Sequence, residues 1–149
     1  MFKTILCPID LKPRSKMALK KAINIAHQFN SKILLLNIHE EFMSKQEMVM
    51  SRVSVSKLGD EFKKIAVEAK DEMKILVKDL EADDIDCEYI LRDGKAHDII
   101  VKIAKEKEAD LIVMGTNGKD SLSDLLIGTT AQKVVESAVC PVLVMPKVD

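Results

Sequence analysis

Hydrophobic positions along the chain switch repeatedly between short strand-like runs and longer stretches with helical spacing. Near-continuous apolar runs are typical of strands that a parallel sheet buries on both faces. Such runs, together with one alternating segment, predict five strands, over 3–9, 32–38, 86–91, 109–114 and 140–146. Apolar residues at helical spacing predict helices over 15–30, 58–80 and 96–107, and a fourth that begins at Thr129 or Thr130. Strands and helices therefore alternate along the whole sequence.

This alternation predicts an α/β fold with three layers, in which right-handed crossovers connect an open parallel five-stranded sheet. In such sheets a ligand binds beyond the carboxyl ends of the strands, where the strand order reverses. Asp10 follows the first strand and Gly115 ends the fourth. If these two strands are neighbours, both residues face one crevice, but the residues alone leave that adjacency open.

Length and charge limit the classes of function. A chain of 149 residues predicts one domain, 1–149, and 47% hydrophobic residues suffice for a sizeable core. The formal net charge of -1 argues against nucleic acid as a partner. No apolar run approaches the length of a membrane span, and the N-terminus has no signal-peptide pattern, so we expect a soluble cytoplasmic protein with no membrane partner.

Cysteines and histidines do not indicate a metal centre. Cys7, Cys87 and Cys140 are far apart and lack metal-ligand spacing, which favours reduced, buried thiols. The three histidines are scattered over separate segments, so we interpret them as structural or surface residues. We therefore predict no metal site built from protein side chains.

The stretch with candidate chemistry holds three of the five glycines, in the pattern Gly115-x2-Gly118-x9-Gly128, followed by Thr129 and Thr130 at a predicted helix start. Glycine permits close backbone approach to a ligand, and a helix N-terminus offers unpaired N–H groups to an anion. The glycines could also be ordinary turn residues. Their position after an apolar strand and before a helix favours a phosphate cradle, although no P-loop, dinucleotide or nucleophile-elbow motif is present.

The glycine pattern and its surroundings closely resemble the universal stress protein family. The resemblance includes the first strand through Pro8, Ile9 and Asp10, the strand 111–114 before Gly115, and the closing strand 140–144. It implies a Rossmann-like adenine nucleotide-binding fold with strand order 3-2-1-4-5, in the branch that binds ATP or AMP with Mg²⁺. It also implies a dimeric regulatory protein of the stress response rather than an efficient enzyme.

The resemblance also implies which residues would bind the nucleotide. Adenine and ribose would contact the ends of the first two strands, and the ribose and phosphates would contact the fourth strand and the glycine stretch. The implied binding residues are Pro8, Ile9, Asp10, Ile38, Met114, Gly115, Gly118, Lys119, Gly128, Thr129 and Thr130. Asp120 and Asp124 depart from the family pattern, and either repel phosphate or help to hold Mg²⁺.

The closing strand predicts a homodimer. Val142, Leu143 and Val144 form an apolar edge strand, whose ladder groups would remain unpaired without a second chain. The resemblance implies pairing through the same strand.

Other readings remain open at this stage. One is slow ATP hydrolysis or phosphotransfer, and another is an interaction module that needs no nucleotide. A third is a phosphoacceptor domain, for which Asp10, Asp93, Thr116 and Lys147 fall loosely in place. The methionine-rich segment from Met43 to Met50 fits either an adaptable contact surface or core packing.

Overall fold

Strands and helices alternate through the fold in the predicted order. The structure is a computed structural model that describes residues 1–11, 15–40, 55–116 and 128–146, with the backbone alone for residues 55–59. The strands are β1 (Thr4–Ile9), β2 (Lys32–His39), β3 (Cys87–Asp93), β4 (Leu111–Gly115) and β5 (Val142–Met145). The helices are α1 (Lys16–Phe29), α2 (Val55–Asp79), α3 (Ala96–Glu106) and α4 (Thr129–Ser137).

The five strands form one parallel sheet in the order β3-β2-β1-β4-β5. This order confirms the α/β fold class and the implied strand order. The chain builds outward from β1 to β3, then returns to the other side of β1 with β4. Strand order therefore reverses between β1 and β4, which is the position where open α/β sheets bind ligands.

Each face of the sheet packs against two helices, as side chains alternate along every strand. Helices α1 and α2 cover the face that carries Ile5, Cys7, Ile33 and Leu35. Helices α3 and α4 cover the face that carries Leu6, Leu34, Leu36 and Ile112. The central strands are apolar on both faces because both faces are buried, which is why their sequences read as continuous runs.

Element boundaries differ from the sequence predictions by a few residues. Helix α2 begins at Val55, three residues before the predicted start at Leu58, and β5 covers only Val142–Met145 of the run 140–146. Ser15 stands at the N-cap position of α1, but its side chain makes no capping hydrogen bond. Across the described ranges, every helix is too short or too polar to cross a membrane.

Candidate functional site

The structure makes β1 and β4 neighbours, which the sequence left open. The predicted crevice is therefore located at the carboxyl ends of these two strands. Backbone hydrogen bonds show which residues of β1 face each neighbouring strand. Lys32 of β2 donates its N–H to the carbonyl of Lys3, whereas Asp110 donates its N–H to the carbonyl of Thr4. Because alternate residues of a strand bond to opposite neighbours, Leu6 and Pro8 face β4.

Pro8 ends the pairing of β1 with β4. The two strands are in register at Ile5 with Leu111 and at Leu6 with Ile112. Pro8 is the next β1 residue that faces β4, and it has no N–H to donate. Pairing of β1 with β2 continues beyond this point, to Ile9 with Asn37. Pairing with β4 therefore ends earlier along β1 than pairing with β2, shortly before Asp10.

Gly115 leaves open space at the end of β4. A Cβ atom built on this glycine would meet no atom of the described residues within 4 Å. Gly115 is half-buried and Asp10 is exposed, so both lie at the surface of the carboxyl edge. A planar or phosphorylated ligand can approach the backbone here without displacing a side chain of the described residues.

The first turn of α4 is held against the end of β4. Gly128 donates its N–H to the carbonyl oxygen of Thr116 over 2.8 Å. Thr116 in turn donates its own N–H to the carbonyl oxygen of Met145 over 3.1 Å. These two bonds place Gly128 beside Thr116, the residue that follows β4, so the third glycine of the pattern lies at the same edge as the first.

The N-terminus of α4 is suited to an anion. Gly128 occupies the N-cap position and has no side chain with which to cap the helix, and the first turn of the helix carries no acidic residue. Thr129 is exposed and Thr130 half-buried, so both hydroxyl groups lie near the surface. The unpaired N–H groups and the positive end of the helix dipole favour a negatively charged ligand at this position.

The end of β2 contributes a polar residue that the sequence analysis did not predict. Asn37 is only 3% exposed, and its side-chain Nδ2 donates to the carbonyl oxygen of Ile9 over 3.0 Å. Ile38, the predicted adenine contact, is the next residue of the strand and is half-buried. The sequence did contain a signal for this residue, because Asn37 stands between the apolar run Ile33-Leu34-Leu35-Leu36 and Ile38. A buried amide needs a specific hydrogen-bond partner.

Glu40 is a second residue that the sequence analysis missed. Its Oε1 accepts a hydrogen bond from the N–H of Ala96, the first residue of α3, over 2.7 Å. A carboxylate at this place satisfies one unpaired N–H and complements the helix dipole. Because Glu40 and Ala96 are far apart in sequence, no local capping pattern indicated the contact.

The predicted binding residues fall into three groups. Asp10, Gly115, Gly128, Thr129 and Thr130 lie at the carboxyl edge, with Pro8 and Ile38 beside it. Ile9 and Met114 are 6% and 5% exposed and pack in the cores on opposite faces of the sheet, so they can offer a ligand mainly backbone. Gly118, Lys119, Asp120, Asp124, Lys147 and the segment Met43 to Met50 lie outside the described residues.

Two of the three histidines each contact an aspartate. His27, which is exposed, lies 3.1 Å from Asp84, and His97, which is half-buried, lies 3.1 Å from Asp98. His39 differs, because its Nε2 is enclosed. Over the described ranges, no group of three or more metal-ligating side chains is arranged to hold an ion.

The three cysteines are free thiols, but only Cys7 is fully buried, whereas Cys87 and Cys140 are half-buried. Burial raises the pKa of Cys87 to about 11, with smaller effects from Tyr89 and Asp86. Burial also raises the pKa of Cys7 and of Cys140. Since the thiolate is the reactive form, all three are poor nucleophiles at neutral pH.

Comparison with known proteins gives consistent matches over the full fold. Universal stress protein MJ0577 of Methanocaldococcus jannaschii is 31% identical, over 99% of this chain and 96% of its own length. A solved structure of MJ0577 superposes with a TM-score of 0.79 at 29% identity, covering 100% of this chain and 99% of that chain.

Two further solved structures share the fold and contain nucleotides. A universal stress protein in complex with cAMP has a TM-score of 0.70 at 20% identity, over 99% of this chain and 98% of its own. The universal stress protein of Archaeoglobus fulgidus in complex with dAMP has a TM-score of 0.64 at 20% identity, covering 96% of this chain and 97% of its own.

The family model for the universal stress proteins matches residues 1–146, which is nearly the whole sequence. The sheet order, the glycine at the end of β4 and the full-length relative agree with this match. This chain belongs to the universal stress protein family.

Proposed function

We propose that the chain binds an adenine nucleotide, AMP or ATP, at the carboxyl edge of the sheet between β1 and β4. The observation that carries the proposal is the position of Gly128. Its hydrogen bond to Thr116 brings the N-terminus of α4 to the end of β4, where a Cβ on Gly115 would meet no described atom within 4 Å. A phosphate group in this space would be bound by backbone N–H groups and by the helix dipole.

The described residues fit such a ligand at both of its ends. Ile38 at the end of β2 and Pro8 at the end of β1 are half-buried and offer apolar surface and backbone to a base. Asp10 is exposed beside the crevice, where its carboxylate suits ribose hydroxyl groups. Thr129 and Thr130 add hydroxyl donors to the phosphate end. Mg²⁺ would enter with the nucleotide and neutralise part of the phosphate charge.

Proteins of the same fold support this assignment. The complexes with cAMP and dAMP described above show that the fold accommodates adenine nucleotides. At 20% identity they establish the likeness of fold, and the open space around a Cβ on Gly115 supports a ligand site at the same edge of the sheet in this chain.

The nucleotide would act as a regulatory ligand in a homodimer. Pro141 accepts a hydrogen bond from Ile112 of β4, and Met145 accepts one from Thr116, which directly follows β4. Alternate residues of β5 therefore face β4, and the backbone groups of Val142 and Val144 point to the outer edge. Val139, next to this strand, is 68% exposed, so a second chain that pairs with β5 would also cover apolar surface.

Isothermal titration of nucleotide-free protein with AMP, and with ATP in the presence and absence of Mg²⁺, tests the nucleotide proposal. We expect saturable binding of at least one nucleotide, and tighter ATP binding with Mg²⁺ than without it. Phosphate release measured in the ATP samples checks the regulatory role, since we expect no turnover above the buffer blank. No heat signal up to millimolar nucleotide would contradict the proposal.

A further inference from the structure

Two polar atoms at the carboxyl end of β2 lack partners within the described part of the chain. These atoms are Oδ1 of Asn37 and Nε2 of His39, and both are enclosed. A buried polar atom without a hydrogen bond destabilises the state that encloses it. Two of them on one strand end, beside the crevice, indicate a function other than packing.

The orientation of the Asn37 amide is fixed. Its nitrogen must face the carbonyl oxygen of Ile9, because that oxygen can only accept a hydrogen bond. The amide oxygen therefore faces away from Ile9, and exchanging the two atoms would place oxygen against oxygen. Asn37 thus presents a fixed acceptor at the end of β2.

Asn37 and His39 project from the same face of the sheet, since they are two residues apart on one strand. Their positions are about 6.6 Å apart along the strand, and Ile38 lies between them on the opposite face. This spacing allows both side chains to contact one small planar molecule. Ile9, which is paired with Asn37, directly precedes Asp10 at the edge of the crevice.

We propose that Asn37 and His39 determine the base specificity of the nucleotide site. Asn37 Oδ1 accepts a hydrogen bond from the exocyclic amino group of adenine, and His39 Nε2 pairs with a ring nitrogen of the same base. This inference rests on the proposed nucleotide binding and adds a side-chain readout of the base. Within the described part of the chain these two atoms have no hydrogen-bond partner, and adenine would supply the partners that they lack.

The chemistry of Asn37 selects adenine against hypoxanthine. The Oδ1 atom is only an acceptor, and hypoxanthine carries a carbonyl oxygen where adenine carries its amino group. Two acceptors would then face each other without a proton between them, which excludes the wrong base by repulsion.

Isothermal titration with AMP and inosine monophosphate tests the readout. In the unmodified protein we expect AMP to bind more tightly by about tenfold or more, the usual effect of one unpaired buried acceptor. Because backbone groups of Ile38 can also distinguish the bases, the decisive quantity is the change of this ratio in variants. Asn37→Leu should lower the ratio by at least about threefold relative to the unmodified protein, and His39→Leu should weaken AMP binding more than inosine monophosphate binding.

Ser31→Ala is the matched control. Ser31 is the other buried polar residue of the described part, and its hydroxyl donates to the carbonyl oxygen of Phe2 at the opposite end of β2. This variant should lower the melting temperature and leave the ratio of the two affinities unchanged. Circular dichroism of each variant establishes that it is folded before titration.

The outcomes separate this inference from the proposed function. If AMP binds and the ratio persists in Asn37→Leu and His39→Leu, the readout is wrong and nucleotide binding stands. Equal losses for both nucleotides would show that Asn37 only supports the strand ends, which also overturns the readout. If neither nucleotide binds the unmodified protein, both proposals are wrong.

Discussion

Gly128 donates its backbone N–H to the carbonyl oxygen of Thr116 over 2.8 Å, which joins the start of α4 to the end of β4. The two residues belong to the same glycine-rich stretch but are separated in sequence by residues 117–127. Their contact brings Gly115 and the N-terminus of α4 to one point of the carboxyl edge. Substitutions at this point should therefore affect a ligand more than the fold.

Gly115→Val is expected to weaken nucleotide binding by at least about tenfold. The valine side chain would occupy the space in front of β4, where no described atom lies within 4 Å of a Cβ. For the same reason the free energy of unfolding should change by less than about 0.5 kcal/mol. Titration with AMP and urea denaturation of the same sample measure the two effects.

Gly94 serves as a comparison, because a side chain at this position is expected to destabilise the fold. It has a backbone φ of 138°, a conformation that side chains with a Cβ rarely adopt. Gly94→Ala should therefore lower the free energy of unfolding by about 1 to 3 kcal/mol. A loss of stability in Gly115→Val as large as that in Gly94→Ala would contradict the open space at the end of β4.

Glu40→Ala is expected to destabilise the fold by about 1 kcal/mol. The substitution removes the acceptor of the Ala96 N–H and a negative charge at the N-terminus of α3. Glu40→Gln keeps an acceptor oxygen and loses only the charge, so its free energy of unfolding should lie between those of Glu40→Ala and the unmodified protein. Urea denaturation at low salt measures the order, and equal stability of the three proteins would show that the cap contributes nothing.

Val144→Pro is expected to weaken the homodimer by at least about tenfold. The backbone of Val144 points away from β4, so proline removes a donor from the outer edge and leaves the β4 ladder intact. Light scattering over a range of protein concentrations measures the dissociation. Val144→Thr retains the N–H and serves as the control, and a monomeric unmodified protein at micromolar concentration would contradict the proposed dimer.

The ion pairs of Glu88 predict a pH-dependent contribution to stability. Lys107 contacts its Oε1 at 3.1 Å and Lys32 contacts its Oε2 at 3.3 Å. The pKa of Glu88 is lowered from its ordinary value of 4.5, mainly by the hydrogen bond from Lys107. Desolvation by burial acts in the opposite direction, and the hydrogen bond from Lys32 lowers the pKa further. A carboxylate whose pKa is lower in the folded state stabilises the fold above its unfolded-state pKa. That contribution disappears as the pH falls through the folded-state value.

Glu88→Gln should therefore reduce the free energy of unfolding at neutral pH, by less than about 1 kcal/mol because the pair is partly exposed to solvent. The difference from the unmodified protein should shrink progressively as the pH falls below 4.5. Urea denaturation across this pH range provides the measurement. Glu106→Gln, which breaks a more exposed pair with Lys102 at 4.0 Å, is the matched control. A pH-independent difference at Glu88 would exclude the ion pairs as its cause.

The sequence by itself determined the order of strands and helices, and the glycine pattern together with its flanking strands identified the family. Both are local signals, because apolar runs and helical spacing report burial directly. The tertiary structure decided which strands are neighbours, how Pro8 ends the pairing with β4, and the partners of Asn37 and Glu40. These depend on contacts between residues distant in sequence, such as Glu40 with Ala96, whose geometry emerges only when the sheet and its helices pack together.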